Sequence, residues 1–122
     1  MDKSDFVGRG DTEKLDCVVR AFTVATGKPY QDVHAALKAA GRKDGRKTKT
    51  STSNRAAKAL GLKRIDLKPK MTVKKFLDDS EHVPALAAFV SGHAFGVRLG
   101  SIADYVPVGP RQLVKCYYKL GA

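Results

Sequence analysis

Apolar residues recur at helical spacing through the first half of the chain and at strand spacing through the second. Val18, Ala21, Phe22 and Ala25 predict a helix over Asp16–Thr26, with Asp16 at its N-cap and Gly27 as its stop. Tyr30, Val33, Ala36, Leu37 and Ala40 predict a second, over Pro29–Ala40, with Pro29 at the first helical position. A basic loop follows from Gly41 to Thr50, then a helix over Ser53–Leu60 and a short strand over Leu62–Leu67. Thr72 is placed to cap a short helix holding Val73, Phe76 and Leu77. Pro84–Val90 is a nearly continuous apolar run, as in a buried strand, and Ser91-Gly92 is a turn. Beyond it, His93–Leu99 alternates, Ile102–Val106 is a further strand, and Gln112–Leu120 alternates again with Val114, Cys116, Tyr118 and Leu120 on one face. Helices before strands predict an α+β fold, with N-terminal helices packed on a small antiparallel sheet.

With 122 residues and 43% hydrophobic content the chain suits a single domain over 1–122. No apolar run approaches the roughly 20 residues that span a bilayer. The start, Met1 to Asp5, is polar and acidic and lacks the layout of a secretion signal, so a cytoplasmic location is expected. Two cysteines are too few for a disulfide scaffold, and with histidines only at 34, 82 and 93 neither a metal nor another cofactor is expected.

The formal net charge of +11 changes the picture, because it favours contact with polyanions. It is unevenly spread. Asp2, Asp5, Asp11, Glu13 and Asp16 outnumber Lys3, Arg9 and Lys14, whereas Arg42, Lys43, Arg46, Lys47 and Lys49 face only Asp44. These five, with Lys63, Arg64, Lys74 and Lys75, are the candidates for binding nucleic acid or an acidic protein. Gly41-Arg42-Lys43-Asp44-Gly45-Arg46-Lys47 is not a phosphate loop, lacking a preceding strand and a following Ser or Thr at the needed spacing.

Cys17 lies in the first turn of its predicted helix, where the helix dipole favours thiolate and the backbone N–H offers half of an oxyanion hole. His93 opens a strand after a Gly-containing turn and shares parity with Phe95, Val97 and Leu99, which predicts that it faces the helices. Asp104 lies on the next strand. A two-residue Leu99-Gly100 loop makes it a diagonal neighbour of His93, about 7–8 Å between backbones. A Gly100-Ser101 loop pairs it with Val97, too far to orient the imidazole. A thiol, a base within reach and an acceptor that orients the base are the parts of nucleophilic catalysis. Cys116 has core parity and is expected to be inert, and His34 and His82 are not expected to act in catalysis.

Asp16-Cys17-Val18-Val19-Arg20-Ala21, then Ala25-Thr26-Gly27 and Tyr30, resembles the nucleophile helix of papain-like cysteine peptidases. Gly92-His93-Ala94-Phe95-Gly96-Val97 and Gly100-Ser101-Ile102-Ala103-Asp104 resemble their histidine and acid strands. The resemblance is to the small bacteriocin-processing and phage-encoded members, and it covers Asp11 to Tyr118 in outline. It implies a papain-like fold, with Cys17 as nucleophile, His93 as general base and then acid, and Asp104 as orienting acid. It also implies a peptidase or amidase reaction through an acyl-thioester, a protein or peptide substrate, and a viral protein working in the cytoplasm of a bacterial host. Such peptidases place a Gln before the cysteine to donate to the oxyanion. Asp11 to Asp16 contains neither Gln nor Asn, which leaves Thr12, Lys14 or the Cys17 backbone as substitutes. The acidic neighbours are expected to raise the thiol pKa. Two alternatives therefore stand beside the hydrolase: a catalytically weak or inactive domain that binds through its basic surface, and an acyltransferase using the same thioester.

Overall fold

The computed structural model describes residues 15–121. In chain order these form α1 (Cys17–Thr26), α2 (Tyr30–Ala39), α3 (Thr50–Ala59), β1 (Leu62–Thr72), α4 (Val73–Asp79), β2 (Leu86–Val90), β3 (His93–Arg98), β4 (Ser101–Ala103) and β5 (Leu113–Leu120). The strands make one sheet in the order β1-β5-β2-β3-β4, and every neighbouring pair is antiparallel. The fold is α+β, as the pattern predicts. No helix among the described residues is long and apolar enough to cross a membrane.

α1 is buried almost all round, because it lies against β3 and β2 on one side and α2 on another. Gly27 ends it in the left-handed conformation, φ 70°, returning its N–H to the Thr23 carbonyl. α2 is one-sided: Tyr30, Val33 and Leu37 turn inward, with Ala40 just beyond the helix end. Pro29 stands immediately before this helix, at its N-cap, instead of inside it. α3 begins at Thr50, three residues before the expected Ser53, because its first turn is polar and carries no apolar period. Thr72 caps α4 as expected, its Oγ1 accepting from the Lys75 N–H at 3.2 Å.

β1 runs to Thr72, well past the predicted Leu67. A proline, Pro69, falls inside this longer strand. It lies, however, on an edge strand, in the stretch between Asp66 and Met71 where pairing with β5 slips, so its missing N–H interrupts no ladder. β4 is shorter than predicted, ending at Ala103.

The sheet is covered on both faces. Ala87, Ala94, Cys116 and Tyr118 pack with α1, α2 and α3, while Leu86, Ala88, Phe95 and Val97 pack with Val73 and Phe76 of α4. This corrects the reading of β3. Its α1-facing residues are Ala94 and Gly96, and the parity His93 shares with Phe95 and Val97 points to the α4 side. A strand buried on both faces loses the apolar-polar alternation that would reveal which side meets which layer. Gly96 lets helix and sheet approach closely: a Cβ there would run into the Val24 side chain.

Candidate active site

Two hairpins bring the site together. Val90 pairs with His93 around Ser91-Gly92, so His93 is the first residue of β3. Arg98 pairs with Ser101 around Leu99-Gly100, both at positive φ (48° and 76°), as a right-twisted two-residue turn requires. This is the first of the two registers open in the sequence. Continued beyond Ala103, it sets Asp104 diagonally across from His93.

Cys17, His93 and Asp104 do meet. Cys17 is the first residue of α1, so its N–H has no intrahelical acceptor. Its half-buried thiol shares a hydrogen bond with His93 and receives the backbone N–H of Ala94. His93 presents Nε2 to Oδ2 of Asp104 at 3.5 Å, an ion-pair distance longer than a hydrogen bond. His93 reaches these partners from the end of its strand, its ring stacked near that of Phe95 at 6.2 Å.

Behind the three lies a buried polar chain that the sequence reading did not assemble. Oδ1 of Asp104 accepts from the Tyr105 N–H at 2.8 Å and faces Nε of Arg20 at 3.6 Å. Arg20 also faces Oδ1 of Asp16 at 3.5 Å, and its guanidinium lies 4.5 Å over the Tyr105 ring. Oδ2 of Asp16 accepts from the Tyr30 hydroxyl at 2.8 Å. Asp16 does occupy the N-cap position, but its side chain makes no cap bond and serves this chain instead. The signal was present in the sequence: an Asp and an Arg four apart, the Arg alone among apolar residues on a helix buried on nearly every side.

Burial pushes the Cys17 thiol up. The hydrogen bonds from His93 and the Ala94 N–H, with the charges of His93 and Arg20, outweigh it and hold the thiol below its ordinary value. Among the described residues the opposition to thiolate is desolvation; Asp11 and Glu13, acidic neighbours expected to add to it, lie outside the described residues. Asp104 and then Cys17 raise His93 to about 9, against the cost of burial. Both shifts run toward the charged pair, thiolate and imidazolium. Burial raises the Cys116 thiol, consistent with an inert core cysteine.

A cleft of about 140 Å³ opens beside Cys17 and His93, bounded by Phe89, by Lys115 of β5 and by the N-terminal end of α3. None of these flanking contributions was predicted. Thr12 and Lys14, the suggested oxyanion donors, lie outside the described residues.

The basic candidates divide. Lys43, Arg46, Lys47 and Lys49 are exposed and line a broad depression of about 670 Å³ together with Arg55. Arg42 is buried, its Nη1 3.5 Å from Nε2 of His34, and is no surface grip for phosphate. Arg64 is held on β1 by Asp66 at 3.0 Å and by Asn54 at 3.1 Å, and its neighbour Lys63 is exposed. Lys74 and Lys75 lie on α4, where Lys75 pairs with Asp79 at 3.2 Å. His34 lies 3.4 Å from Asp44, and His82 is exposed beside Glu81.

Comparison of the chain with protein-family models, with curated proteins and with solved structures finds no match in any of the three.

Proposed function

We propose that the chain is a cysteine hydrolase of peptidase or amidase type, built on the papain-like plan its sequence resembles. The observation that carries the reading is the meeting of Cys17, at the start of α1, with an imidazole backed by the buried carboxylate of Asp104. Helices preceding an antiparallel sheet, with the thiol on the first helix and the base and acid on a later hairpin, agree with that plan.

The Cys17 thiolate adds to an amide carbonyl, forming the C–S bond and moving the carbonyl π electrons onto oxygen. The Cys17 N–H is the described donor available to that oxyanion. The His93 imidazolium gives its proton to the leaving nitrogen as the C–N bond breaks, which leaves an acyl-thioester and a neutral imidazole. His93 then takes a proton from water as the oxygen adds to the thioester carbonyl, and collapse releases the acid and the thiolate. Asp104 keeps the imidazole oriented and stabilises its cationic form. Transfer to an amine in place of water would make the same site an acyltransferase. The two free cysteines suit a reducing cytoplasm, a bacterial host's if the chain is viral.

Reaction with p-nitrophenyl acetate tests the chemistry. The expected result is a nitrophenol burst with an acetyl mass on Cys17, followed by turnover, with both lost in Cys17→Ala and turnover lost in His93→Ala. A slow, burst-free reaction that persists in Cys17→Ala would contradict it.

A second reading has its own observation, the exposed Lys43, Arg46, Lys47 and Lys49 around one depression. As a polyanion binder the chain would hold nucleic acid with an affinity that falls steeply with salt, each lysine removed lowering the log-log slope by about 1.

A further inference from the structure

The cleft beside Cys17 has a chemistry that the triad does not use. α3 enters it by its N-terminus. This is a helix of 10 residues with Lys49 at the N-cap, no side-chain bond from that cap and no acidic residue in the first turn. The first-turn N–H groups and the positive end of the helix dipole therefore lack an anion from their own turn.

An independent observation lies one turn further in. Ser53 lines the cleft at 1% exposure, and its buried Oγ has no hydrogen-bond partner among the described residues. A serine within a helix ordinarily donates to the carbonyl four residues back, here that of Lys49, but Ser53 does not. Oγ1 of Thr48, on the same wall, is likewise buried without a partner. A hydroxyl kept dry and unpaired is costly in a folded protein unless something else supplies its partner.

Charge narrows what that partner is. Lys47 and Lys115 line the cleft from two sides, and no described lining residue carries a carboxylate. Lys47 also lines the basic depression, so the cationic surface runs on from the cleft into it. At about 140 Å³ the cleft is smaller than the roughly 300–1,000 Å³ of pockets that take drug-sized ligands. It has the scale of one side chain. Phe89 and Val90 supply an apolar wall for a methylene stem.

We propose that this cleft is a specificity subsite for a carboxylate side chain of the substrate, Glu or Asp, next to the scissile carbonyl. The carboxylate takes the first-turn N–H groups of α3 and the hydroxyls of Ser53 and Thr48, with Lys47 and Lys115 closing over it. The proposal rests on the cysteine-hydrolase reading for its place in catalysis. The binding itself does not depend on that reading.

The probes are N-acetyl-glutamate amide and its neutral isostere N-acetyl-glutamine amide. Two readouts are taken: protection of Cys17 from iodoacetamide, and amide chemical shifts of Thr50 and Ser53. The glutamate compound is expected to protect and to shift both amides, and the glutamine compound to do neither. Lys115→Ala should weaken the glutamate effect roughly fivefold, the size of a partly screened charge contact. Ser53→Ala should weaken it as well without harming the fold, because it removes only an unpaired hydroxyl. Lys28→Ala makes the same charge change beyond the far end of α1 and should leave the glutamate effect intact.

Equal effects of the two compounds, no shift at α3, or equal loss in Lys28→Ala and Lys115→Ala would overturn the subsite. A Cys17 that resists iodoacetamide at neutral pH would instead count against the hydrolase reading, and the α3 amide shifts would still decide the subsite.

Discussion

Arg20 and Asp104 face each other at 3.6 Å in the interior, joining the helix that carries the thiol to the hairpin that carries its base. Both side chains are at least 95% buried, and Asp16 completes the set at 3.5 Å from Arg20. One guanidinium thus lies between two carboxylates, and only one of them has His93 as a further cation.

Removing that guanidinium has two expected consequences. Arg20→Met leaves Asp16 and Asp104 buried without their shared cation, which costs about 3–5 kcal/mol in comparable buried pairs. Urea denaturation measures it as a fall in midpoint at unchanged slope. The thiol also loses a charge that lowers its pKa, so the onset of Cys17 alkylation moves to higher pH.

Asp104→Asn separates the two groups that raise His93. Asp104 is the larger cause, so the imidazole falls from about 9 yet stays above 6.5 because Cys17 remains. The folded value exceeds the unfolded one. The stability that His93 contributes is therefore complete below about pH 6.5 and lost as pH rises through about 9. NMR titration of the ring and unfolding measured across that window both check it: the variant shows a lower ring pKa and a flatter alkaline loss of stability.

Gly96→Ala tests how closely α1 must approach β3. The new Cβ meets Cβ of Val24 and has both its methyls within 2.7 Å, so helix or strand has to move. The expected cost is about 1–3 kcal/mol, with slower Cys17 alkylation as the thiol and imidazole part. Val24→Ala added to Gly96→Ala should recover most of both losses. Alkylation unchanged in the single variant would show that the pair does not depend on this contact.

Much of this arrangement was legible from local chemistry. Gly27 stops α1, Thr72 caps α4 and Ser91-Gly92 turns the chain into His93, because each acts over a few residues. The register placing Asp104 near His93 was not legible. It depends on Leu99 taking a positive φ, which a leucine does not advertise. The start of α3 was hidden by polar residues that carry no period, and so was the wall those residues build beside Cys17. The facing of β3 was misread because a strand covered on both sides has no polar face. The chain from Tyr30 through Asp16 and Arg20 to Asp104 needs three elements folded together, and only its i,i+4 step is local.

The central claim is a thiolate–imidazolium pair between Cys17 and His93. The rate of iodoacetamide alkylation against pH, in a Cys116→Ala background and with His93→Ala beside it, tests it most directly. The account predicts a Cys17 that reacts at neutral pH and below, with His93→Ala moving the onset upward. A thiol that reacts only above about pH 8.5, with or without His93, would contradict it.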